Sequence, residues 1–111
     1  MTSHFDPEKI AIELAQRGED WADTDSAYRA LDETTKTVLA EVTLDYLETA
    51  KSVAESETRA RASQKYREHL ACLSAARREA NRARVKLDTY KAYVELLRTQ
   101  SANRRAEMNL R

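Results

Sequence analysis

Residues 62–101 read ASQKYREHLACLSAARREANRARVKLDTYKAYVELLRTQS. Within this stretch Ala62, Tyr66, His69, Leu73, Ala76, Ala80, Ala83, Leu87, Tyr90, Val94, Leu97 and Ser101 follow one another at alternating steps of four and three. Such spacing lays them along one line of a helix, the seam of coiled-coil-type packing. Its middle is alanine (76, 80, 83), which lets a neighbouring helix come close, and its ends are larger.

The rest of the chain agrees with helix. Gly18 and Pro7 are the only glycine and proline, so nothing after residue 20 carries the strongest turn signals. Ala, Leu, Glu, Arg and Lys dominate, the composition of long helices. At 111 residues the chain is one small domain at most.

Working towards the N-terminus, Asp6-Pro7-Glu8 has the order of a helix start: a capping carboxylate, a proline whose missing N–H is not needed, and an acid at the positive end of the dipole. The pattern predicts a short helix over 7–17, capped by Gly18, and an acidic loop over 19–25 holding Trp21. A long helix over 25–55 follows, with Tyr28, Leu31, Val38, Leu39, Val42, Tyr46, Ala50 and Val53 on one stripe and Ala40, Leu44, Leu47 and Ala54 on a flanking one. Ser52-x-x-Glu55 has capping-box spacing, and a tight turn is expected near 55–59, the alternative being one uninterrupted helix, since neither glycine nor proline forces a break. A long basic helix over 58–105 completes the chain.

The expected fold is therefore all-α: a short N-terminal helix, then two long antiparallel helices packed in coiled-coil fashion. Two helices cannot bury every apolar stripe, so a homodimer forming a four-helix bundle is expected. Leu73, Ala76, Ala80, Ala83, Leu87, Tyr90, Val94 and Leu97 are its expected oligomer seam.

Net charge is zero, yet residues 1–57 hold 5 Lys/Arg and 14 Asp/Glu, and residues 58–111 hold 14 and 5. The halves either neutralise each other or the basic half meets an acidic partner. Arg77, Arg84, Lys91, Arg98 and Arg105 recur once per heptad beside the seam, and Glu41, Glu48 and Glu55 recur in the same way on the preceding helix. Flanking charges of opposite sign commonly set helix pairing. Arg77, Arg78, Arg82 and Arg84 also form the densest basic patch and are candidate nucleic-acid contacts.

Catalysis has little to stand on. There is no Gly-rich phosphate loop and no proposable Ser/His/Asp arrangement, and the carboxylates lie in charged stretches. His69 and Cys72 are three apart, half a metal site at most, so neither a metal nor a cofactor is expected. A lone cysteine suits a reducing compartment, no apolar run reaches ~20 residues, and Met1–Glu8 lacks signal-peptide features. A cytoplasmic protein is the expectation.

Tyr66 through Leu73, Ala75-Ala76-Arg77-Arg78-Glu79-Ala80-Asn81-Arg82-Ala83, Leu96-Leu97-Arg98-Thr99 and Arg104-Arg105-Ala106-Glu107-Met108 resemble small helical proteins encoded by phages and prophages near recombination or replication genes. The resemblance covers the second half of the chain. It implies a phage accessory role in the bacterial host cytoplasm. Two functions remain open: a non-catalytic interaction or assembly protein, which is preferred, or a nucleic-acid-binding accessory factor using the four arginines.

Overall fold

A computed structural model describes residues 6–110. The signal-peptide reading at the N-terminus rests partly on residues 1–5, which lie outside the described residues. The described chain is three α-helices: α1 (Pro7–Leu47), α2 (Val53–Ala62) and α3 (Gln64–Leu110). It falls into two compact units. One holds residues 6–23 and 81–110, the other Thr24–Ala80, so α1 and α3 each contribute to both.

α1 starts as its sequence dictates. The Asp6 carboxylate accepts from the Glu8 and Lys9 N–H groups at 3.1 and 3.4 Å, satisfying donors that have no partner inside the helix. The expected short helix over 7–17 and acidic loop over 19–25 are not there, because α1 runs through both without a break. Gly18 has no positive φ, so it is an ordinary helical residue and not a cap. A glycine there costs only about 1 kcal/mol relative to alanine. One-turn pairs bridge the region: Arg17 with Glu13 at 2.7 Å, Gln16 with Asp20 at 3.0 Å, and Arg29 with Asp25 at 2.9 Å.

Beneath those pairs lies a heptad row. Ile10, Leu14, Arg17, Trp21, Thr24, Tyr28, Leu31, Thr35, Val38 and Val42 alternate by four and three, and each is buried or half-buried. A covered row continuing through the acidic stretch is what holds it helical. A Cβ added at Gly18 meets nothing within 4 Å. Gly18→Ala should therefore stabilise the chain, by up to about 1 kcal/mol, seen as a raised melting temperature. A loop with a left-handed residue 18 would instead be destabilised.

The chain turns earlier than expected, at residues 48–52 and not near 55–59. The Tyr46 carbonyl accepts from the Thr49 and Ala50 N–H groups, closing the last turn of α1. Ser52 then caps α2: its hydroxyl accepts from the Glu55 N–H at 3.1 Å, and the Glu55 carboxylate reaches back to the Lys51 N–H at 2.9 Å. The capping-box spacing is thus used, and it starts the helix that was expected to begin at 58.

The expected continuous helix over 58–105 is also divided. Ser63 is extended (φ −68, ψ 151). Its hydroxyl donates to the Ala60 carbonyl at 2.6 Å and accepts from the Tyr66 N–H at 3.2 Å, so one side chain ends α2 and opens α3. Ala62, ahead of this break, is exposed.

In the unit Thr24–Ala80 the buried side chains are Val42, Ser56, Ala60, Tyr66 and Ala80. Ser56 and Ala60 are wholly buried, so α2 sits tight through its smallest residues. Thr35 Oγ1 donates to the Leu31 carbonyl at 3.1 Å, which leaves its oxygen to accept from His69 Nε2 at 2.9 Å. In the other unit Leu87 and Leu97 are buried.

Candidate interaction surfaces

On α3 the residues that are not exposed are Tyr66, His69, Leu73, Ala76, Ala80, Ala83, Leu87, Tyr90, Val94, Leu97 and Ser101. These are the seam residues expected from the sequence, apart from Ala62. Tyr66, Ala80, Leu87 and Leu97 are buried within a single chain and the others are half-buried. Cys72, one position off the row, is exposed and not partly buried as a small apolar residue would be.

Arg17 shows how a charge is held in the row of α1. Its Nε pairs with Glu13, its Nη1 donates to the Lys86 carbonyl at 3.4 Å, and its guanidinium lies 5.0 Å from the centroid of the Tyr90 ring. The planar group thus uses its donors and its face at once. Tyr90 meets Tyr93 at 6.1 Å, ring centroid to ring centroid. Arg17, Val85, Lys86, Thr89, Tyr90 and Tyr93 line an open depression of about 370 Å³. In the other unit a second depression of about 410 Å³ has Leu39, Ala40 and Leu44 with Lys36 and Arg61 around it.

Arg77, Arg78, Arg82 and Arg84 are all exposed on α3, the first two in the unit Thr24–Ala80 and the others in its neighbour. The expected matching of basic and acidic flanks between helices is not how several of these charges are used. Arg84 lies 3.9 Å from Asp88 and Arg98 3.3 Å from Glu95, both on α3 itself. Glu55 pairs with Arg59 at 2.8 Å while capping α2. Exposed pairs one turn apart contribute little to stability.

One surface has no counterpart among the features expected from the sequence. Val85, Thr89, Ala92, Leu96, Thr99, Asn103, Ala106 and Leu110 also alternate by four and three, and all are exposed. At 100° per residue this outer row lies on the side of α3 opposite the covered one. None of its members is charged, in a chain that is 34% charged. Its signal is the absence of charge at heptad spacing, obscured by the arginines alongside.

Among the described residues no group of His, Cys, Asp and Glu is placed to hold a metal ion, and no helix is long and apolar enough to cross a membrane. No family model, curated protein or solved structure matches the chain.

Proposed function

We propose that this chain is a non-catalytic helical interaction and assembly protein, a phage accessory or adaptor factor that works through its helix faces. The observation that carries the reading is the second, uncharged heptad row of α3, which one chain leaves in water. Val85 and Leu96 are each 63% exposed on it. A face patterned for helix packing and left uncovered supports a partner helix. A homodimer completing a four-helix bundle is the simplest form of such assembly.

Exposure of Arg77, Arg78, Arg82 and Arg84 favours a second reading, binding to a phosphate backbone. Titration with single- and double-stranded DNA at two salt concentrations separates the two. As an assembly protein the wild type should bind DNA no better than an unrelated protein of similar charge at physiological salt. Arg78→Ala with Arg82→Ala should then change neither binding nor melting. The second reading predicts sub-micromolar binding that this double variant weakens. Its log–log salt slope should also become shallower, by roughly one for each phosphate no longer neutralised.

A further inference from the structure

We propose that the outer row of α3 packs against the same row of a second copy, antiparallel about a two-fold axis, and that this contact holds the dimer. The proposal rests on the assembly reading above and names its surface. The row spans residues 85–110, all within one unit, and its largest side chains are among the most exposed apolar groups of the protein: Leu110 is 88% exposed.

The occupant follows from the charges beside the row. Lys86, Tyr93, Gln100 and Glu107 flank it on one side, and Asp88, Glu95, Ala102 and Asn109 on the other. In an antiparallel pair each flank meets its own counterpart. Setting Leu96 against Thr99 of the partner subunit brings Val85 to Leu110 of the partner subunit. On one flank Lys86 then faces Glu107 of the partner subunit, twice by symmetry. On the other, Asp88 faces Asn109 of the partner subunit and Glu95 faces Ala102 of the partner subunit. No like charges meet.

Other arrangements are worse. A parallel pair sets Asp88 near Tyr93 of the partner subunit and Glu95 near Gln100 of the partner subunit, and forms no ion pair. Sliding the antiparallel pair one heptad towards the N-terminus sets Glu95 against Glu95 of the partner subunit. Sliding it the other way sets Glu107 against Tyr93 of the partner subunit and loses the ion pair with Lys86. Asn103, the most polar member of the row, adds to register choice at a cost in strength, as a lone polar core residue does in coiled coils.

Light scattering on the full chain across the micromolar range tests this. Wild type should reach twice 12.7 kDa. Leu96→Asp should bind its copy about 100-fold more weakly, because the carboxylate would be buried without a partner. Its helicity should stay unchanged, since Leu96 is exposed in the single chain. Lys86→Glu should weaken the dimer, and adding Glu107→Lys should restore it. A dimer untouched by Leu96→Asp would overturn this surface while the assembly reading stands. A wild type that stays at one chain's mass would overturn self-pairing and leave the row to a partner of another kind.

Discussion

Leu87→Asp should abolish most of the helicity of the chain. Leu87 is 8% exposed in the covered row of α3, between Ala83 and Tyr90. A carboxylate there would lose its water and gain no evident partner, at a cost of several kcal/mol. Small domains have only about 5–15 kcal/mol in total, so one such charge removes much of the folded population. Circular dichroism on dilute protein reads the effect without involving any dimer. Leu96→Asp is the matched control, the same change on the same helix, nine residues on and facing water. Equal melting of the two variants would mean that the inner and outer rows of α3 are not distinct.

Ala60→Phe should release α2. Ala60 and Ser56 are both 0% exposed, so the helix is seated through groups with no volume to give up. Adding a ring at such a site costs about 1–3 kcal/mol, and more where the backbone cannot shift. Because α2 is only 10 residues long, with turns at both ends, it is the element that gives way. Hydrogen exchange should show amides of 53–62 losing protection before those of α1 and α3. Unchanged protection would mean that α2 does not pack through this face.

The inner row of α3 was legible because eleven of its positions, from Tyr66 to Ser101, are spaced without an error and seven are Leu, Ala or Val. The equivalent row of α1 is just as regular, but Arg17, Thr24 and Thr35 sit in it. Hydrophobicity alone therefore sees a gap where the structure has a helix. The acids at 19–25 reinforce that misreading, although at helical spacing two of them pair one turn away: Asp20 with Gln16 and Asp25 with Arg29. The break at Ser63 was invisible for a different reason: one hydroxyl does the work of both caps. Of the candidate site, the arginines stand out by their density and all four are exposed, Arg77 and Arg84 of the seam flank as well as the outward Arg78 and Arg82. The outer row carries no residue that attracts notice.

Two heptad rows are buried or half-buried within one chain, the row of α1 unbroken through the acidic stretch, and the outer row of α3 stays exposed. Hydrogen exchange over residues 17–28, on protein dilute enough to be shown monomeric by light scattering, tests this most directly. Amides of Trp21, Thr24 and Tyr28 should exchange as slowly as those of Leu31 and Val38. Fast exchange confined to 19–25 in the monomer, with protection on either side, would mean a loop between two helices in place of the unbroken α1.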